Sequence, residues 1–213
     1  MTAVIASVAG REEREGITYV TKSSPTARER IVAGAADMIS RRGLNATSIR
    51  ETAKHARAPL GSTYHYFPEG KQQLATEAVR YAGEFAARNL RKELAAGPVA
   101  GLRAFLGLWR KIVVDSDFRA GCPVLAVSIE EPPTDEIPAA VLAAAEVFDQ
   151  WEALLAASLR EHGTTPEQAA QLATLIVAAT EGTVAMCRAK RSIRPLDDVT
   201  EQLQTLITTT LNP

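Results

Sequence analysis

Residues 58–74 read Ala-Pro-Leu-Gly-Ser-Thr-Tyr-His-Tyr-Phe-Pro-Glu-Gly-Lys-Gln-Gln-Leu, and the reading of this stretch decides the fold. Pro59 suits a first helical turn, where a missing N–H costs nothing. Gly61, Ser62 and Thr63 are small, so backbone and hydroxyls can come close to a DNA groove. Tyr64, His65 and Tyr66 combine aromatic bodies with polar tips that suit phosphate oxygens. Phe67 reads as core, Pro68 and Gly70 stop the helix, and Lys71 stands where the next one begins. Just upstream, Thr47-Ser48-Ile49-Arg50-Glu51 places hydroxyl caps ahead of an acid, the opening of a second short helix. Its apolar face is Ile49, Ala53 and Ala56, with Thr52 alongside. Two short helices across a tight turn, the second rich in small and hydroxyl residues, make a helix-turn-helix.

Working outward, residues 1–24 read as a flexible arm, whose Arg11, Arg14 and Lys22 are interleaved with acids. Ser24-Pro25-Thr26 starts the first helix, with Ile31, Ala35, Met38 and Ile39 on one face and Gly43 as its stop. Downstream, the spacing predicts helices over 71–94, 99–114, 138–162 and 166–190, a short apolar one within 121–133, and a last one from Pro195. No strand pattern, nucleotide-binding glycine loop or internal repeat occurs in the sequence. The expected architecture is all-α: a three-helix head over residues 25–75 on a larger helical body over 76–213.

Composition narrows the function classes. The chain has 213 residues and a net charge of −1 that hides an asymmetry. Residues 1–75 carry 11 Lys/Arg against 7 Asp/Glu, and the remainder 13 against 18. A basic first third fits phosphate contact through counterion release, although a solvated charged face has the same composition. Cys122 and Cys187 lie far apart without metal-ligand spacing, and Cys122, followed by Pro123, reads as structural. His55, His65 and His162 have no partner at ligand spacing, so no metal or other cofactor is expected. The first ten residues lack the basic start of a signal peptide, and no apolar run reads as a membrane span, which places the protein in the cytoplasm.

The run Ala27-Arg28-Glu29-Arg30-Ile31-Val32, Gly43, Ala46-Thr47-Ser48 and Gly61-Ser62-Thr63-Tyr64-His65-Tyr66-Phe67-Pro68 resembles the DNA-binding domain of the tetracycline-repressor (TetR) family. The Phe-Pro-Glu-Gly-Lys exit is similar to the branch that contains the LmrA and YxaF repressors, as are Gly121-Cys122-Pro123-Val124 and Glu181-Gly182 more weakly. The resemblance implies DNA contacts from Thr47, Ser48, Arg57, Pro59, Leu60, Gly61, Ser62, Thr63, Tyr64, His65, Tyr66 and Lys71. Two of these depart from the family pattern. Arg57 stands where a turn glycine is usual, and a left-handed non-glycine residue there costs on the order of 1–2 kcal/mol. Leu60 replaces a polar or basic residue and is suited to a thymine methyl.

The same resemblance implies a ligand chamber in the body, near Phe105, Trp109, Phe118, Phe148 and Trp151, for which a simply packed core is the alternative. Thr180 and Glu181 lie inside an apolar run, where an unpaired carboxylate is costly to bury, so Glu181 is expected to reach solvent, a partner chain, a buried donor or, with Thr180, the ligand. The last two long helices are then the dimer elements, through Leu175, Ala178, Ala179, Gly182, Ala185, Leu203 and Leu206. The implied function is a homodimeric repressor on a palindromic double-stranded operator, released by a small apolar or aromatic inducer. A constitutive binder with a filled body is the competing reading. A helical enzyme lacks support, because no paired carboxylates, metal cluster, nucleophile–base set or phosphate loop can be read from the sequence.

Overall fold

The computed structural model describes residues 25–132 and 136–211; the expected N-terminal arm lies outside them. Among the described residues every regular element is a helix.

Helix α1 (Ala27–Arg42) starts from a capping box: Thr26 Oγ1 accepts from Glu29 N–H at 3.2 Å, and Glu29 Oε2 accepts from Thr26 N–H at 2.8 Å. Gly43, at φ +81°, ends it, in the left-handed backbone that glycine adopts without a Cβ penalty. Helix α2 (Ile49–His55) is capped by Ser48, whose Oγ accepts from Glu51 N–H at 3.2 Å. Helix α3 (Leu60–Tyr66) begins one residue later than expected: Pro59 is extended and stands just before the first turn. Helix α4 (Lys71–Leu94) then runs out of the head into the body. Ile31, Ala35 and Ile39 of α1 share a core with Ala56, Phe67, Leu74 and Ala75, so the head closes against the first turns of α4. Phe67 is fully buried at the exit of α3, with the Arg28 guanidinium 5.2 Å from its ring centre.

The body adds α5 (Pro98–Asp115), α6 (Pro123–Ser128), α7 (Ala139–Glu161), α8 (Pro166–Lys190) and α9 (Arg194–Leu211). Helices α4 and α7 pack closely because Gly83 leaves room: a Cβ there would run into Val147. The Gly83 carbonyl accepts from Trp151 Nε1 at 3.0 Å, which satisfies that buried indole. Thr165 and Gln168 form a second capping box at the start of α8, with Pro166 in its first turn. Helix α8 corrects one expectation, since it is long and apolar enough to cross a membrane by length and composition. Its inner face, Ile176, Val177, Val184 and Cys187, is buried where α8 packs on α7, α9 and α5, the arrangement of a core helix.

Candidate nucleic-acid interface and buried body site

The turn between α2 and α3 is built around Arg57, whose φ of 52° is left-handed. Its N–H donates to Lys54 O at 3.2 Å and that of Ala58 to Ala53 O at 2.9 Å, closing α2 and reversing the chain. This sets the start of α3 in the open. Leu60 is half-buried, Gly61 and His65 are exposed, and Tyr64 is 54% exposed. Ser62 and Tyr66 are half-buried, and Tyr66 packs between the His65 and Phe67 rings at centroid distances of 5.7 and 6.5 Å.

An open groove lies between the start of α2, Tyr64 and Lys71, and Ser48, Arg50 and Asn45 line it. Lys71 is held at its edge, donating from Nζ to Asn45 O at 3.3 Å. Arg50, in the first turn of α2 beside Glu51, is exposed in this groove and was not among the expected contacts. Two expected contacts turn inward instead. Thr63 is fully buried with its hydroxyl on Pro59 O at 3.3 Å, and buried Thr47 donates to Gly43 O at 2.7 Å. Both hydroxyls are spent on backbone carbonyls at helix ends, so these side chains hold the head together.

Behind this surface is a buried ionic set that the sequence did not disclose. Asp37 of α1 accepts from Arg41 Nε at 2.9 Å and lies 2.9 Å from His55 Nε2 on α2. Burial pushes the Asp37 carboxyl up, but the His55 hydrogen bond and the Arg41 charge outweigh it, so its pKa sits below the ordinary value.

In the body, four of the five expected aromatics meet. Phe105 and Trp151 are 5.4 Å apart, Trp109 and Trp151 6.1 Å, and Phe148 and Trp151 5.8 Å between ring centres, all edge-on. Phe118 is elsewhere. The chain reverses after α5 through left-handed Asp117 and Phe118, and the Phe118 ring lies 5.8 Å from the Arg191 guanidinium. Among the described residues of the body, buried polar atoms of Trp109, Ser158, Thr164 and Glu181 lack a hydrogen-bond partner. Trp109 Nε1 has no acceptor, and neither carboxyl oxygen of Glu181, itself 4% exposed, has a hydrogen bond of ordinary geometry. Burial raises the Glu181 pKa to about 8, eased only slightly by the Cys122 thiol alongside. Cys122 caps α6 by accepting from Leu125 N–H at 3.5 Å; burial and the neighbouring Glu181 push its thiol well above the usual range, so it is no nucleophile. Thr180 spends its proton on Ile176 O at 2.7 Å.

The outer face of α8 carries Leu175, Ala178, Gly182 and Ala185, all exposed, with Ala179 half-buried beside them. A Cβ on Gly182 would meet nothing. Leu206 of α9 is also exposed, whereas Leu203 is buried inside the protomer and leaves the expected interface set.

Comparison with known proteins agrees with this geometry. A family model described as bacterial regulatory proteins of the tetR family matches residues 31–78, and one described as the C-terminal domain of LmrA/YxaF-like transcriptional regulators matches residues 98–202. An HTH-type transcriptional regulator of Mycobacterium tuberculosis is 41% identical, over 84% of this chain and 93% of its own. The HTH-type transcriptional regulator YxaF of Bacillus subtilis is 31% identical, over 84% of this chain and 94% of its own. The crystal structure of a regulatory TetR protein from Rhodobacter sphaeroides has the same fold, with a TM-score of 0.74 at 23% identity over 84% of this chain and 97% of that one.

Proposed function

The chain belongs to the TetR family of DNA-binding transcriptional regulators and is not an enzyme, and we propose that within this family it is a cytoplasmic, homodimeric repressor released by a small apolar ligand. The head of residues 25–75 carries the DNA contacts, and the body of residues 76–213 carries the dimer contact and the ligand site. Gly61 and Leu60 meet the major groove, while Tyr64, His65, Lys71, Ser48 and Arg57 meet phosphates. The exposed small-residue stripe of α8 supports dimerisation, since Ala178, Gly182 and Ala185 allow a second helix to come close. A C₂ pair sets two heads about one DNA turn apart and reads an inverted repeat.

The observation that carries ligand control is the Glu181 carboxyl, buried in the body without a hydrogen-bond partner, with Trp109 Nε1 among the other unsatisfied groups there. A buried polar group without a partner costs stability, and a ligand that supplies one recovers it. With its carboxyl protonated at neutral pH, Glu181 suits a neutral aromatic ligand carrying a hydrogen-bond acceptor. Such a ligand releases DNA only by favouring the DNA-incompetent state over the competent one. The edge-on packing of Phe105, Trp109, Phe148 and Trp151 favours the second reading, a constitutive binder with a filled body.

Titrating a panel of aromatic compounds into a complex with the DNA upstream of its own reading frame, using wild type, Trp109→Ala and Glu181→Gln, separates the two. An inducer raises the melting temperature of free wild type and lowers its DNA affinity, and Trp109→Ala loses this response while still binding DNA. If no compound releases the DNA, the constitutive reading stands in its place.

A further inference from the structure

The end of α1 is gripped from the body by two groups of opposite charge. Glu130, two residues beyond α6, accepts from Leu44 N–H at 2.6 Å through Oε1 and from Asn45 N–H at 2.7 Å through Oε2. On the other side, Arg188 of α8 donates to Ser40 O at 3.1 Å, to Arg41 O at 2.9 Å and to Arg119 O at 3.1 Å. Gly121 N–H adds a bond to Ser40 O at 3.1 Å. Two glycines leave space for this arrangement: a Cβ at Gly43 would collide with the Glu130 carboxylate, and one at Gly121 would come within 3.0 Å of the Arg188 guanidinium.

The chemistry is directional. The last carbonyls of a helix lack intrahelical donors, and a cation there is favoured by the helix dipole. A carboxylate that takes two consecutive N–H groups forms charge-assisted bonds, which fix orientation more firmly than apolar packing does. Arg188 therefore holds the carbonyl end of α1, and Glu130 holds the amides that follow it. Both lead back to one buried place. Glu181 precedes Arg188 by seven residues on α8 and so shares its face, and Cys122, beside Glu181, opens the helix after which Glu130 lies.

We propose that Glu130 and Arg188 are the positioning residues that fix the recognition helix against the body, and that they thereby set the distance between the two heads on an operator. The proposal rests on the dimeric reading above. Neither residue touches DNA; each acts through the end of α1.

The test uses the full-length protein and duplexes built on an inverted repeat recovered by selection from random DNA. The repeat is compared with a duplex holding one intact half-site, and with repeats lengthened or shortened by one and two base pairs. Wild type binds the natural repeat best, because the second head then binds at high effective concentration. Glu130→Gln and Arg188→Met lose about tenfold or more on that repeat, keep half-site affinity within about twofold, and show a flattened spacing preference. Arg188→Lys, which keeps the charge but not the fork that spans three carbonyls, falls between. Equal loss on half-site and repeat would make the pair merely structural and overturn the proposal, as would variants with the wild-type spacing profile. A wild type that binds half-site and repeat alike would overturn the dimeric reading itself, and the proposal with it. Should Arg188→Met fail to fold, the near-isosteric Glu130→Gln decides the matter alone.

Discussion

His55 Nε2 on α2 lies 2.9 Å from the carboxylate of Asp37, a residue of α1 that is only 1% exposed. This contact joins the first two helices of the head from within. Because the folded pKa of Asp37 is depressed, its contribution is present above the unfolded value and is lost as pH falls toward the folded one. Asp37→Asn should therefore destabilise the head by about 1–3 kcal/mol at neutral pH, since it strips a buried charge-assisted pair. The difference from wild type should shrink in acid, below pH about 4. Thermal melts of both proteins across pH 3–7 measure it, and a constant difference would remove the ionic account.

Arg57 offers the test of the turn. Its left-handed backbone costs a non-glycine residue about 1 kcal/mol, so Arg57→Gly should raise the melting temperature by roughly 2–4 °C. DNA affinity should fall in the same variant if the guanidinium meets phosphate. Unchanged melting together with unchanged binding would leave neither role standing.

Lys71 and Tyr64 test phosphate anchoring. Lys71→Ala should weaken all sequences alike and reduce the log–log salt slope by about one unit. Tyr64→Phe should cost one neutral hydrogen bond, about 0.5–1.5 kcal/mol, with the fold intact. A changed base preference in Lys71→Ala would show that this residue reads sequence after all.

Glu181 gives a pH signature of opposite sign to that of Asp37. Its folded pKa of about 8 lies above the ordinary 4.5, so folding holds its proton while the unfolded chain releases it. The stability of wild type should fall relative to Glu181→Gln as pH rises from about 4.5 to 8, by a few kcal/mol at most, and level off beyond. Urea unfolding of the two proteins at several pH values reads this directly. Parallel curves would mean that Glu181 has found a partner.

The local elements were legible in the chain because local chemistry sets them. Thr26 with Glu29 and Thr165 with Gln168 mark helix starts, and Gly43 marks an end, at positions a reader can find. The apolar run around Glu181 marked it as a costly carboxylate but left its surroundings open, and the structure buries it while Gly182 faces out. What the chain concealed is which neighbour covers each face. Glu130 and Leu44 are 86 positions apart, and no spacing rule joins them. Thr63, a hydroxyl on the recognition helix, and Leu203, on a helix the resemblance assigns to the dimer face, both turn in because the rest of the protomer packs over them. Phe118 parted from the other aromatics because two consecutive left-handed residues redirected the chain there, a choice no composition rule predicts.

The most direct test of the account is selection of duplex DNA from a random-sequence pool by the full-length protein, followed by sequencing of what is retained. Neither the operator nor the ligand has to be identified first. The account predicts enrichment of an inverted repeat whose half-site centres lie about one helical turn apart, bound by two chains and lost in high salt. Enrichment of a single unrepeated site, or of none, would contradict it.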